Sequence, residues 1–430
     1  LHRESRFLTL KADLVSQITQ EHQIKAGGEA KLHRIWIHNF GIRNDQSTGF
    51  VPTPVEFGRS EFAHTTIKPR QYAAYIQDKM EFNDFIVNLG VRFDYFNSRA
   101  NILVEQLRLG QTAAFERAEP EGQLSPRIGI SYPITDRGVL HVSYGHFFQV
   151  PQFDLMFLNP GYNINATDAF QVGNPGLRSQ RTVAYELGLQ QQLSPDIRLD
   201  VTGFYKDFRN LIGTEIFDIG NGNKYSQFVN RDYGNARGII LSLEKRFAGG
   251  FSATLDYTFQ IAQGNASDPN AVFLDNETDP PRASQKQLAP LDWDRRHSVN
   301  VTTTIGALEN YTITAIGRIG TGLPYTPAFQ NQRTGLLNSE NRPLVATLDI
   351  YATKYLHVFG SPLNVFVKVY NVFDTRNELD VFSDTGRAGY SVEANYSGAP
   401  RGVNTTEEFY TRPEFYSAPR QIVLGMGVSF

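Results

Sequence analysis

Two segments of this 430-residue chain combine aromatic and amide side chains, the types that stack on sugars or hold a peptide. The first segment contains Tyr162, Asn163, Asn165, Phe170 and Gln171. The second contains Tyr390, Asn395, Tyr396, Phe409 and Tyr410. Aromatic rings supply apolar contact in a ligand pocket, and polar groups fix the orientation of the ligand. We predict ligand binding by these residues; the alternative is that the loops only pack against one another.

Two histidines and an acidic loop are the candidate metal ligands in the sequence. His141 and His146 are five residues apart on a predicted strand, so their side chains should point to opposite faces of the sheet. The acidic loop Asp268–Asp279 could hold Ca²⁺ through oxygen ligands, but it lacks the glycine and glutamate spacing of a calcium-binding loop. A solvated loop is the favoured interpretation. The sequence therefore predicts no metal site and no cofactor.

The motifs of common enzyme families are missing from the sequence, which has no G-x-S-x-G, no H-E-x-x-H and no P-loop. Asp294, Arg295, Arg296 and His297 stand at a predicted strand start, where ion pairs within the protein explain them better than a substrate clamp. The net charge of −3 argues against nucleic-acid binding, and the lack of cysteine excludes disulfides and thiolate metal sites. We predict a protein that is not an enzyme and has no nucleic-acid partner.

The segments that would position the loops are β-strands. In the last stretch, Arg420–Phe430, every second residue from Ile422 onwards is large and apolar, and Phe251–Ile261 alternates in the same way. A period of two indicates a strand, and about eleven residues cross a bilayer when tilted. The 31 Phe, 20 Tyr and 36 Gly residues are typical of an all-β chain. No run of about eighteen apolar residues occurs, which excludes a membrane-spanning helix.

Short and long connections alternate along the chain. Short turns are predicted near Thr135–Arg137, Ser194–Asp196, Ala248–Gly250, Gly306–Glu309 and Gly360–Pro362. Long polar connections are predicted at about Ser98–Gln123, Gln149–Gln180, Asn210–Asn235, Gln263–Asp294, Gly320–Pro343 and Asp374–Pro419. Outer-membrane barrels have short periplasmic turns at one rim and long extracellular loops at the other, unlike soluble sandwiches and propellers. We predict an all-β, transmembrane antiparallel β-barrel, surrounded by the lipid of a bacterial outer membrane.

Five motifs, in the same order, resemble those of TonB-dependent outer-membrane receptors. They are Ser125–Phe153, Gly173–Leu193 with its NPGL and YELG sequences, Asp292–Val299, Gly320–Pro327 and Tyr370–Asn377, and the terminal Phe430 is similar as well. The resemblance covers Ser125–Phe430 well and the first hundred or so residues weakly. It implies a barrel of about 22 strands with a plug inside it. It also implies uptake of a scarce nutrient, driven by TonB and the proton-motive force.

The chain is predicted to be only part of such a receptor. About fifteen strands are counted, whereas single-chain bacterial barrels have an even number. We expect residues 1–430 to form the C-terminal part of the barrel, preceded in the full protein by a plug, a TonB box and about seven strands. The TonB complex would be contacted through that N-terminal region. The resemblance is greatest to large receptors with an N-terminal carboxypeptidase-regulatory-like domain, and a surface lipoprotein is a further candidate partner.

Two other functions are compatible with the sequence. A passive porin-like channel would have about sixteen to eighteen strands, close to the number counted here. A surface-binding or anchoring barrel would use its loops to hold a partner without transport. The sequence does not define a substrate, and siderophores, cobalamin, glycans and peptides all stay open, because selectivity would lie in the loops and the plug.

Overall fold

The computed structural model describes residues 2–39, 42–43, 53–54, 63–108, 114–159, 170–220, 223–276, 287–307, 309–330, 332–358, 361–393, 410 and 412–428. Its fifteen long strands are β1 His2–Gln17, β2 His22–Asn39, β3 Arg70–Glu81, β4 Ile86–Asn97, β5 Glu121–Thr135, β6 Gly138–Gln149, β7 Gln180–Ser194, β8 Ile197–Gly220, β9 Asn223–Ala248, β10 Phe251–Gly264, β11 His297–Ala307, β12 Tyr311–Gly320, β13 Val345–Val358, β14 Ser361–Tyr370 and β15 Gln421–Val428.

The connections carry shorter elements. Two helices, α1 Phe153–Met156 and α2 Ala271–Asn276, and a 3₁₀ turn, Pro413–Phe415, are present. The short strands are Ile42–Arg43, Thr53–Pro54, Ala63–Ile67, Asn101–Leu103, Phe115–Arg117, Phe170–Val172, Ala289–Pro290, Pro324–Tyr325, Ala328–Phe329, Gln332–Arg333 and Glu340–Asn341. No helix in the described part of the chain is long and apolar enough to cross a membrane.

The long strands form one antiparallel meander in which each strand pairs with the next along the chain. The predicted all-β antiparallel sheet of about fifteen strands is confirmed. Across the described residues no ladder joins β1 to β15, so these two strands are the edges of the sheet. We call the sheet of fifteen long strands the wall.

The strand register separates apolar and polar side chains onto two faces of this wall. One cross-strand row is apolar through seven strands: Leu189, Val201, Leu241, Tyr257, Val299, Ile319 and Ala346. The adjacent row is polar: Gln190, Asp200, Ser242, Asp256, Asn300, Arg318 and Thr347. Because successive residues of a strand point to opposite faces, the wall has an apolar outward face and a polar inward face.

The inward face is stabilised by hydrogen bonds between polar side chains. Ser242 Oγ donates to Asp256 at 2.6 Å, and Arg318 donates to Asp349 at 2.9 Å. On the outward face, Leu424 and Met426 are 76% and 75% exposed. Such apolar exposure is stable where lipid surrounds the protein, and this matches the two-sided pattern predicted for the last strand.

The predicted alternation of short turns and long connections is present, with one exception. The connection at Asn210–Asn235 is not a loop, because β8 and β9 continue through it and stay paired as far as Gly220 and Asn223. We call residues 210–233 the hairpin extension. Its strands pair with each other beyond the points where β7 and β10 stop. Buried side chains on this segment, including Ile212 and Phe228, pack against neighbouring loops and stabilise strands that look polar in sequence.

The hydrophobic core lies under the loops rather than between the strands. A cluster of Ile35, Ile37, Ile67, Phe96, Met156, Phe157, Leu177, Ile212 and Phe228 joins strand ends, α1 and the hairpin extension. The α1 residue Phe153 contacts the ring of His33, which belongs to the inward-facing set of β2, at 5.1 Å between ring centroids. The connection between β6 and β7 therefore folds over the inward face at the long-loop side.

Candidate ligand-binding face on the loop side

The residues predicted to bind a ligand are distributed unevenly over the described part of the chain. Tyr162, Asn163, Asn165, Asn395 and Tyr396 lie outside the described residues, as does Phe409. Phe170 starts the short strand Phe170–Val172, and only its backbone is described. Tyr390 and Tyr410 are described in full. The ligand-binding assignment of the whole set therefore stays a prediction, for which the two tyrosines provide the geometry.

Tyr390 and Tyr410 form a stacked pair between β14 and β15. Their ring centroids are 6.3 Å apart with an angle of 27° between the ring planes. Tyr410 donates its hydroxyl hydrogen bond to the carbonyl of Ser391 at 2.7 Å, and Phe382 packs edge-on against the Tyr410 ring at 6.3 Å. Tyr390 is 51% exposed and Tyr410 is half-buried, so the pair presents aromatic surface to solvent.

The backbone around this tyrosine pair is fixed by a single carboxylate. Asp384 Oδ2 accepts hydrogen bonds from the Ser391 hydroxyl at 2.9 Å and from the Val392 backbone N–H at 2.6 Å. A third bond comes from the Glu393 N–H at 3.2 Å. Because a carboxylate that accepts several backbone donors restrains the chain strongly, the segment carrying Tyr390 is pre-organised.

A second carboxylate in the same connection holds an exposed arginine. The Arg387 guanidinium donates to Glu378 from Nη2 at 2.6 Å and from Nε at 3.1 Å, and the Ala388 N–H donates to the same carboxylate at 2.6 Å. The hydrogen bond from Arg387 is the largest cause that holds the pKa of Glu378 below its ordinary value. Arg387 itself is 64% exposed, so its free edge can bind an anionic group of a ligand.

The hairpin extension is held by a polar network that the sequence analysis identified only in part. Gln171 donates to Thr214 Oγ1 at 3.3 Å and to Asn270 Oδ1 at 2.9 Å. Thr214, which is fully buried, donates to the Pro269 carbonyl at 2.6 Å. Gln171 belonged to the predicted ligand-binding segment, whereas Thr214 and Asn270 were missed because no local pattern relates residues so far apart. Here these side chains join the hairpin extension to the connections that carry Gln171 and Asn270.

The acidic loop shows how its described carboxylates are used. Asp268 accepts the Asn270 N–H at 2.8 Å and so turns the chain towards α2. Asp275 accepts two hydrogen bonds from Arg333, at 2.7 and 2.9 Å. Residues 277–279 lie outside the described residues. Within the described part, no group of three or more His, Cys, Asp or Glu side chains is arranged to hold a metal ion.

The remaining charged candidates of the sequence also have local partners. Arg296 donates to Asp294 Oδ2 at 2.8 Å, while Asp294 Oδ1 accepts the Ala262 N–H at 2.8 Å. The predicted ion pair is present between Arg296 and Asp294, whereas Arg295 and His297 form no ion pair within the described residues. His141 approaches Thr202 on one face of the sheet, and His146 bonds Tyr144 on the other, so the two histidines are separated as predicted.

A cavity of about 360 Å³ opens between the connections that follow β2, β4 and β6. Arg99, Asn101, Phe115 and Arg117 line one side, and the buried side chains at the end of α1 form the floor. Neither guanidinium forms an ion pair with another described residue. We call this space the mouth cavity. Sequence reasoning missed it because its lining comes from five separate segments, and no spacing in the sequence relates them.

The wall and its loops together define a class of protein. An antiparallel sheet with an apolar outward face, a polar inward face, short turns at one rim and long loops at the other is the architecture of bacterial outer-membrane barrels. The family model described as "TonB dependent receptor-like, beta-barrel" matches residues 4–372. The chain therefore belongs to the TonB-dependent receptor family, whose members are outer-membrane proteins of Gram-negative bacteria and not enzymes.

Solved structures share this fold at low sequence identity. The outer-membrane transporter YddB from Escherichia coli is 12% identical, with a TM-score of 0.67 over 88% of this chain and 52% of that chain. The copper transporter OprC is 12% identical, with a TM-score of 0.60 over 99% and 57% of the two chains. The siderophore receptor PiuA from Acinetobacter baumannii is 15% identical, with a TM-score of 0.57 over 89% and 54%.

This chain thus spans about half the length of the solved structures that it resembles. No curated protein matches it. At such identities the similarity establishes the fold alone, so the ligand and the energy source are argued separately below.

Proposed function

We propose that this chain is the C-terminal barrel portion of a receptor that binds a scarce anionic nutrient on its loop side and imports it with energy from TonB. The observation that carries the proposal is the family match over residues 4–372. In the full protein, residues 1–430 would be preceded by a plug and the first strands of a barrel of about 22 strands. Contact with TonB would be made through that preceding region.

The chemistry of the loop side supports an anionic ligand. Arg99 and Arg117 line the mouth cavity without a carboxylate partner among the described residues, and Phe115 beside them supplies an aromatic surface. Pockets of a few hundred Å³ with apolar walls and a few polar groups are typical of small-molecule sites. The Tyr390–Tyr410 pair and the exposed edge of Arg387 would provide a second contact of the same character.

Several similar structures bear names that agree with such a ligand. One is the ferric-catecholate import receptor Fiu from E. coli, and another is the FrpB iron transporter from Neisseria meningitidis. We propose anionic metal chelates as the first ligands to test. Cobalamin, glycans and peptides form the comparison set, and a surface lipoprotein that assists capture stays a prediction.

The test is an uptake assay with the complete natural polypeptide in Gram-negative cells that lack other receptors for the compounds. Labelled ferric siderophores, cobalamin, oligosaccharides and peptides are offered with and without a protonophore. We expect uptake of an anionic chelate that stops when the protonophore collapses the proton gradient. Arg117→Ala should raise the half-saturation concentration about tenfold, because a charged hydrogen bond contributes about 1.5–3 kcal/mol.

The control is Arg137→Ala, which removes the same charge at the short-turn rim and should leave uptake unchanged. Uptake that continues in the presence of the protonophore, together with an open conductance in planar bilayers, would establish a passive channel instead. Tight ligand binding without any uptake would establish a surface-binding or anchoring barrel.

A further inference from the structure

The outward face of the wall carries a group of cations at the loop-side ends of β1, β2 and the segment leading into β3. Arg6 lies directly opposite Arg34 in the β1–β2 register. Arg70 lies opposite Leu32, and Lys68 follows Ile67, the cross-strand partner of Ile35. We call Arg6, Arg34, Lys68 and Arg70 the basic patch. All four side chains are exposed.

The strand alternation places the basic patch on the lipid side. From Thr66 to Arg70, exposed and buried residues alternate, so Thr66, Lys68 and Arg70 share the outward face while Ile67 and Pro69 are buried. On β2 the buried Ile35 and Ile37 face inward, and Arg34 lies on the opposite face. A space of about 240 Å³ lined by Glu4, Arg6, Arg34 and Trp36 opens there.

The patch stands at the height of the outer-leaflet headgroups. Arg34 is about 40 Å along β2 from His22 at the short-turn rim, at roughly 3.3 Å per residue. A tilt of about 45° converts this length to a height of about 28 Å, and the apolar band of such barrels is about 25 Å tall. Trp36 lies one step further out, where aromatic residues favour the membrane interface.

Apolar side chains continue directly from the patch towards the middle of the membrane. Leu8, Leu10, Leu32, Tyr72 and Ile76 are 55%, 60%, 36%, 38% and 52% exposed on the outward face. Leu8, Leu32 and Arg70 form one cross-strand row, immediately below the row of Arg6 and Arg34. A molecule with an anionic headgroup and hydrocarbon chains would fit this surface, on which cations lie directly above apolar side chains.

Of the four cations in the patch, three have no carboxylate partner among the described groups. Glu4 pairs with Arg6, while Arg34, Lys68 and Arg70 form no ion pair within the described residues. Like charges directly opposite each other on neighbouring strands, such as Arg6 and Arg34, are destabilising. A bound anion would remove that repulsion, and guanidinium groups suit phosphate because their donors form two parallel hydrogen bonds.

We propose that the basic patch binds the phosphate-bearing headgroup of an anionic lipid in the outer leaflet, while the lipid's chains lie on the leucine and tyrosine side chains below. The continuous apolar surface beside the cations favours a lipid over free phosphate. Bound in this way, the lipid would fix this sector of the wall in the membrane independently of the transported ligand.

The test uses the complete natural polypeptide in nanodiscs of zwitterionic lipid. A diphosphorylated, multiply acylated glycolipid is titrated in, and binding is followed by native mass spectrometry. The triple variant Arg34→Gln, Lys68→Gln, Arg70→Gln should bind this lipid roughly 10- to 100-fold more weakly, since each cation near a charged membrane surface contributes about a factor of five. Arg34→Lys with Arg70→Lys keeps the charge and should lose much less affinity.

Two further arms identify the source of the binding. The control variant Arg137→Gln with Arg246→Gln removes cations at the short-turn rim and should bind the lipid like the wild type. The dephosphorylated form of the same lipid should bind the wild type as weakly as the triple variant binds the phosphorylated form. Equal affinities of the triple variant and the wild type would overturn the proposal, as would equally tight binding of inorganic phosphate alone.

Discussion

Leu424 and Met426 on β15 are 76% and 75% exposed, whereas Phe157 and Phe228 beneath the loops are 1% and 2% exposed. The strand wall stabilises its apolar side chains by presenting them to lipid. The loop-side core removes its apolar side chains from water, as a soluble domain does. The same types of apolar residue therefore contact lipid in the wall and other protein side chains in the loop-side core. A substitution should have different consequences in the two regions.

The largest difference is expected for a core phenylalanine. Phe157→Ala should lower the local stability of the loop-side core by about 3–5 kcal/mol, because it leaves a cavity in a packed cluster. Hydrogen exchange of the amides near α1 should rise, while unfolding of the strand wall in urea should change little. Phe373→Ala, at a loop side chain that is 73% exposed, is the matched control. Equal effects of the two variants would mean that the loops do not form a separate core.

The wall is tested by placing the same charge on its two faces at one depth. Val301 belongs to an apolar outward row with Leu255, and the next residue, Thr302, faces inward opposite Thr254. Val301→Lys should destabilise the folded wall in lipid vesicles by about 2–4 kcal/mol, as for a cation near the bilayer midplane. Thr302→Lys should have an effect close to zero. Urea titration measures both losses of stability. A larger loss for Thr302→Lys than for Val301→Lys would mean that the outward and inward faces are wrongly assigned.

Hydroxyl groups provide a smaller comparison of the same kind. Thr214→Val in the hairpin extension leaves the Pro269 carbonyl without its 2.6 Å donor in a buried site, and should cost about 1–3 kcal/mol. In Thr304→Val, the lost partner is the Thr314 hydroxyl at 2.9 Å on the polar inward face, where water can replace it. We expect less than about 0.5 kcal/mol there. The rate of proteolysis of the hairpin extension would measure the effect of Thr214→Val, and thermal unfolding would measure the effect of Thr304→Val.

The smallest effect concerns pH and the segment that carries Tyr390. Arg387 holds the pKa of Glu378 below its ordinary value of 4.5. The ionised Glu378 carboxylate therefore stabilises the folded loop fully at pH values above its pKa in the unfolded chain. This stabilisation is lost as the pH falls through the lower pKa that Glu378 has in the folded state. The protection of the amides around Ala388, which is their exchange rate compared with the intrinsic rate at the same pH, should be steady near neutral pH and fall only in acid. Glu378→Gln should abolish that acid-dependent step.

The contrast between the two regions also explains what the sequence could predict. In the wall, each strand has lipid on one side and a polar interior on the other, so alternation along a few residues is sufficient to assign it. The terminal strand, the short turns and the order of strands are examples. In the loop-side core, Ile35, Phe96 and Phe228 meet from positions far apart, and no local period records their contact.

The same contrast applies to the residues around the candidate site. Tyr390 and Tyr410 were selected for residue type alone, and the fold stacks them. The hairpin extension was expected to be a loop because its residues are largely polar, yet α2 and the strand at Phe170–Val172 cover it. The mouth cavity has no counterpart in the sequence. The pairing of Asn101–Leu103 with Phe115–Arg117 brings Arg99 and Arg117 together, and the connection between β6 and β7 supplies the floor.

The meander has a consequence for how the protein assembles. Each long strand pairs with its neighbour along the chain. In eight of these pairs the two strands are separated by at most four residues; they are every second pair from β1–β2 to β13–β14, together with β8–β9. Loop closure costs about 0.6 kcal/mol more for each doubling of length, so the long connection of residues 371–420 makes the joining of β15 to β14 about 3 kcal/mol less favourable in entropy than a two-residue turn. We expect hairpins to form first and β15 to add last, an order that pulse labelling of amide hydrogens during refolding would reveal.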